Sequence, residues 1–232
     1  MWQELRSELH PQGVEVITVA LDSGGVEAAA SWIDAANPEH PSLIDQSHRL
    51  DELLGIWNVP MAVWIDEEGV LVRPPEVAHP GTSVLRDLLA EHGVPKDAPA
   101  LLLETLAEAG KIRVKPERYA AALRDWAEKG AESEFALSPE EVVERSRRRP
   151  PEASEAAAHF ELGRHLHAAG ELDAARAHFR ESHRLDPTNW TYRRQAWSFE
   201  DPLQGPTEHY DGDWLSDVRA IGAENYYPVP DL

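Results

Sequence analysis

Two runs of nearly continuous apolar residues, the first largely β-branched, stand forty residues apart in the first third of this chain. They are Val14 to Leu21 (VEVITVAL) and Met61 to Asp66 (MAVWID). The first has the character of a strand buried on both faces, and it sets the fold class as α/β for this region. The Ala-rich residues 26 to 36 follow a Gly24-Gly25 turn and predict a helix with Trp32 and Ile33 on its apolar side. Residues 2 to 10 and 47 to 54 read as further short helices, and Pro41 to Asp45 as a short extended piece. Glu67-Glu68-Gly69 is a hairpin turn that sends Val70 to Arg73 back against Met61 to Asp66. After Pro74-Pro75, residues 82 to 92 predict one more helix.

This order contains Gly55-Ile56-Trp57-Asn58-Val59-Pro60 before the third extended run and Ile65-Asp66-Glu67-Glu68-Gly69-Val70 after it. As an ordered set, over residues 1 to 92, it resembles the thioredoxin-like family, in particular its redoxin branch. The resemblance implies a cis peptide bond at Pro60 and a peptide-binding loop of Trp57, Val59, Pro60 and Met61, with the backbone of Met61 offered to extended peptides. A plain trans proline opening an edge strand is the alternative. The chain departs from the family in two ways. The strand that should precede the first helix, central in the family's sheet, has no counterpart, and neither does the Cys-x-x-Cys that opens that helix. An incomplete sheet leaves unpaired backbone edges. Three explanations stay open: the chain's true start lies upstream, the sheet closes with a partner strand or subunit, or the unit is an unrelated α/β fold.

The chain contains no cysteine. Thiol–disulfide exchange needs a thiolate, so these residues cannot perform it. Thiolate zinc sites and iron–sulfur ligation are excluded on the same ground. Two functions follow as expectations. The first is a non-catalytic protein- or peptide-binding module on a thioredoxin-like scaffold. The second is a thiol-disulfide oxidoreductase or peroxiredoxin-like redoxin whose catalytic N-terminus lies outside this sequence, with Trp57 and Trp64 lining the site.

Beyond residue 95 the pattern turns helical. Residues 98 to 110, 116 to 129 and 138 to 148 predict helices, the last opened by Ser138-Pro139-Glu140-Glu141. From Ala156 to Asn189, Leu162, Gly163, Leu166, Gly170, Ala175, Phe179 and Pro187 stand at the spacings of one helical repeat. The run resembles the tetratricopeptide family, although His159 and Leu166 replace the aromatic residues favoured at their positions. The resemblance implies close helix packing at Gly163 and Ala175, a turn at Gly170, Phe179 between the helices and a stop at Pro187. A single repeat must stack on flanking helices, here expected to be 138 to 148 and 188 to 199.

The fold class is thus α/β then mostly α. An incomplete thioredoxin-like sheet (1 to 95) precedes a helical linker (96 to 152), a tetratricopeptide-like pair (153 to 200) and an aromatic-rich tail (201 to 232). Trp190, Tyr192, Trp197, Phe199, Tyr210, Trp214, Tyr226 and Tyr227 crowd around that last boundary and are expected to fold back onto the body, with Tyr226 to Pro230 extended.

A formal net charge of −20 argues against nucleic acid and anionic membrane partners. The one basic run, Arg145 to Arg149, reads as a solvated helix end beside a linker. No apolar stretch approaches the roughly 20 residues of a membrane span, and the N-terminus lacks a signal-peptide pattern. The default location is cytoplasmic, the expected partner a protein or peptide, and self-association is left open. No cofactor is expected. Glu208, His209, Asp211 and Asp213 form the densest group of ligand-type residues, but their spacing matches a solvated acidic loop better than a metal site. His159, His165, His167, His178 and His183 have no i, i+4 pair among them and read as surface or partly packed residues.

Overall fold

The computed structural model describes residues 2–81, 98–228 and 232. The helix expected at 82 to 92 lies outside them. Helix, 3-10 turns included, makes up 55% of the described residues and strand 9%, so the chain is mixed α/β with ten α-helices and two small sheets among the described residues.

Helix α1 (Trp2–Leu9) ends at the 3-10 turn His10–Gln12, where Pro11 cannot continue the α-helical ladder and Gly13 takes a left-handed φ of 94°. Strand β1 (Thr18–Leu21), helix α2 (Gly25–Ala36) and strand β2 (Ser42–Asp45) form a parallel crossover unit, with Thr18 opposite Ser42 and Leu21 opposite Asp45. Helix α3 (Arg49–Leu54) leads to strand β3 (Met61–Ile65), which pairs antiparallel with β4 (Leu71–Val77).

Three expectations for this region need correction. The strand foreseen at 14 to 21 is shortened to four residues, all half-buried, with Ile17 58% exposed. None of its residues is fully buried, so it is not a strand buried on both faces, and among the described residues it pairs with β2 alone. Trp32 is 79% exposed, and the buried face of α2 is Gly25 and Ala29 instead. The returning strand does not stop before Pro74-Pro75. It runs through them to Val77 with a shift in register, which an edge strand with a bulge tolerates where prolines withhold their N–H.

The helical part comprises α4 (Ala100–Ala109), α5 (Pro116–Lys129), α6 (Pro139–Arg145), α7 (Pro151–Ala168), α8 (Leu172–Leu185), α9 (Trp190–Glu200) and α10 (Trp214–Ile221). Ser138 and Glu141 close the expected capping box at the start of α6. That helix lies against β4 rather than the repeat, and Leu137 N–H donates to Val72 O at 2.9 Å. The basic run beyond it is anchored: Arg147 Nη2 donates to Asp186 Oδ1 at 2.8 Å, and Arg149 Nη1 to Asp51 O at 3.2 Å.

Two apolar clusters hold the molecule. One joins α1, β3, β4 and α5 through Leu5, Leu9, Trp64, Val72 and Tyr119. The larger one gathers Val77, Phe160, Phe179, Tyr192, Trp197, Tyr210, Trp214, Tyr226 and Tyr227, drawing on the strands, the helix pair and the tail. No described helix is long and apolar enough to cross a membrane.

Candidate functional site

The bond between Val59 and Pro60 is cis. The loop it belongs to runs from the end of α3 into β3, and every step along it is fixed by another part of the chain. Trp57 O accepts from Trp190 N at 2.8 Å and from Thr191 N at 3.2 Å. Those are the first two amides of α9, whose N-terminus has unpaired donors and a positive dipole end, so the loop carbonyl caps the helix. Asn189, the N-cap residue, supplies a second acceptor to the same turn. The guanidinium of Arg147 lies 5.7 Å from the ring centroid of Trp57.

Asn58 is fully buried. Its Oδ1 accepts from Val59 N at 2.8 Å and from the Tyr226 hydroxyl at 3.2 Å. The Tyr226 oxygen in turn accepts from Trp214 Nε1 at 3.3 Å. Val59 O accepts from the Tyr227 hydroxyl at 2.6 Å, and Pro60 O from Ala78 N at 3.2 Å. Pro60 thus faces β4. Alternation along an antiparallel strand then turns the main-chain groups of Val59 and Met61 to the opposite edge of β3, which pairs with no other strand among the described residues. At Val59 that edge is occupied by Tyr227. Tyr227 is 8% exposed, and burial raises its phenol pKa, so it stays a donor across ordinary pH. His79, 5.7 Å from the Tyr227 ring, is pushed towards its neutral form by burial.

The structure brings Trp57, Val59, Pro60 and Met61 together as one loop. Trp64, the other tryptophan assigned to the oxidoreductase alternative, points away from it. Its Nε1 donates to Tyr119 OH at 3.0 Å inside the second cluster.

A seam of buried polar residues locks this loop region onto the helices. Tyr192 OH donates to Asp51 Oδ2 at 2.7 Å. His48, only 1% exposed, lies 3.4 Å from Gln195 Oε1, which also accepts from Ser23 N at 2.9 Å. Burial pulls the His48 pKa down to about 4 and raises that of Asp51. A cleft of about 220 Å3 opens beside the seam, lined by Asp51, Arg147, Arg149 and Asp186, whose charges are already paired with one another.

In the helix pair, a Cβ on Gly163 would stand 2.7 Å from Phe179 Cε1, so the close approach expected there exists. Gly170 has φ of 81° at the turn, Ala175 and Phe179 are buried, and Leu166 packs against the large cluster. Pro187 follows the end of α8 at Leu185. Leu162 departs from its expected packing role: it faces solvent, 42% exposed. The pair stacks on α9, where Phe179 and Phe199 have ring centroids 5.7 Å apart.

Of the acidic tail residues, Asp213 caps α10 and His209 faces Glu200 at 3.6 Å, so the four do not converge. The sequence patterns did not foresee two features. Tyr226 and Tyr227 close over the cis-proline loop, and His159 meets His178. A tyrosine pair in an aromatic tail signals burial, not its address.

No protein-family model, curated protein or solved structure matches this chain.

Proposed function

We propose that this chain is a non-catalytic binding module that takes an extended peptide along the unpaired edge of β3, beside Val59, Pro60 and Met61, on a thioredoxin-like scaffold. The observation that carries the reading is the split sheet. Among the described residues β1 pairs only with β2 and β3 only with β4, and the backbone of Met61 turns to the side of β3 away from β4. An extended segment laid there gains main-chain hydrogen bonds from strand addition, while neighbouring side chains set its sequence preference. The order of helices and strands supports the scaffold assignment, and the absence of cysteine from these residues supports binding over thiol chemistry.

The tail sets the terms. A peptide reaching Val59 must displace the Tyr227 hydroxyl, so Tyr226-Tyr227 competes with it. The test is a display selection of random twelve-residue peptides on the full chain. Anisotropy titration of the best sequence and amide chemical-shift mapping follow. The expected result is a shift centred on Met61 and several-fold tighter binding to Tyr227→Phe, which lacks the competing donor. Shifts confined to α7 and α8, or equal affinity for both proteins, would overturn the reading.

A further inference from the structure

His159 on α7 and His178 on α8 lie nineteen positions apart, yet their Nδ1 atoms are 2.8 Å from each other. Their ring centroids are 5.0 Å apart with 34° between the planes. That separation is close to the nitrogen spacing plus two ring radii, so each Nδ1 is aimed at the other. Such a contact requires one protonated nitrogen and one bare lone pair. Both residues are half-buried, which leaves a route from solvent.

We infer that this pair is a two-imidazole clamp for one borderline divalent transition-metal ion of the zinc–copper class, spanning the two helices of the repeat. The proposal is independent of peptide binding. Imidazole is the usual nitrogen ligand for these ions. Two metal–nitrogen bonds of about 2.0–2.1 Å at a tetrahedral angle place the nitrogens roughly 3.3 Å apart. The nitrogens must therefore separate by about 0.5 Å and each ring must swing by roughly 35°, so that both lone pairs meet at the metal as the shared proton is released to solvent. No group of three or more His, Cys, Asp or Glu able to hold a metal forms among the described residues, so water completes the coordination. The surrounding charge favours a cation. Glu181, one turn beyond His178, attracts His159 while its carboxylate accepts from Arg184 Nε at 2.9 Å, and Glu155 also acts on Arg184. Glu181 thus offers a nearby carboxylate in a chain whose net charge is −20.

The test is isothermal titration of the metal-free full chain with zinc chloride and, separately, copper(II) chloride, comparing the unaltered protein with His159→Gln, His178→Gln and His165→Gln. The expected result is one site per chain, weakened at least tenfold in the first two variants and unchanged in the third. Zinc should also raise the thermal midpoint of the unaltered chain and not of His178→Gln, since a ligand bound only by the folded state stabilises it. Equal affinity in all four proteins, or equal loss with His165→Gln, would mean diffuse binding by surface histidines and would overturn the proposal. Should a variant fail to fold, imidazole resonances of the unaltered chain decide. With substoichiometric copper(II), those of His159 and His178 must broaden first, and earlier broadening elsewhere overturns the clamp.

Discussion

His48 shows how one buried side chain writes a pH dependence into the whole chain. It caps α3 from a left-handed conformation, φ 54°, with its ring 4.9 Å from that of Phe160. Its folded pKa of about 4 lies below the 6.5 of a free imidazole. Below pH 6.5 the unfolded chain therefore binds a proton that the folded chain refuses, and stability falls as pH falls, until the folded pKa is passed. At pH 5 the loss relative to pH 7 is on the order of 2 kcal/mol from this residue. His183, held neutral by burial with a pKa of about 3, adds in the same direction. Urea unfolding at pH 7 and pH 5 should show this decline, and His48→Asn, which accepts the same backbone conformation, should reduce it. An undiminished slope in that variant would remove His48 as its source. At the cis-proline loop, Tyr227→Phe takes one hydroxyl from Val59 O, and a stability loss of about 1 kcal/mol is expected in the same assay.

Helix packing and strand pairing decide the outcome at the next scale. Alanine in place of Gly163 would gain up to about 1 kcal/mol of helix propensity. Its Cβ would meet Phe179, 1% exposed and hemmed in by Phe160 and Phe199, and overpacking costs typically 1–3 kcal/mol. Gly163→Ala should therefore destabilise and Gly163→Val more so, both visible as lower thermal midpoints. In β4, Arg73 is 2% exposed, donates from Nη2 to Glu76 at 2.9 Å and from Nη1 to Phe135 O at 2.9 Å, and lies 5.5 Å from the Trp64 ring. Glu76→Ala removes the carboxylate that accepts from Arg73 Nη2, and a stability loss on the order of 1–3 kcal/mol is expected in urea unfolding.

Across the whole molecule, the larger apolar cluster and the polar seam tie the strands, the helix pair and the tail together. Trp57 caps α9, Asp51 accepts from Tyr192, and Tyr227 reaches back to Val59. Unfolding by urea should accordingly be one transition, with tryptophan fluorescence and far-ultraviolet circular dichroism coinciding. Two separated midpoints would show that these ties are weak. The local order of elements was legible in the residues, because periodicity, glycine and proline act over a few positions. The helix over 116 to 129, the capping box at Ser138 and the turn at Gly170 follow from such signals. The exposure of Trp32 and Leu162 was not legible, since an apolar residue carries no record of whether anything covers it. Nor was the passage of β4 through Pro74 and Pro75, which depends on that strand being an edge. By itself the sequence determined the succession of helices and strands, the close contact at Gly163, and that these 232 residues carry no thiol. Only the tertiary structure decided that Tyr226 and Tyr227 close over the cis-proline loop and that His159 meets His178. Contacts between residues 168 or 19 positions apart are set by how elements pack, and no local pattern encodes that.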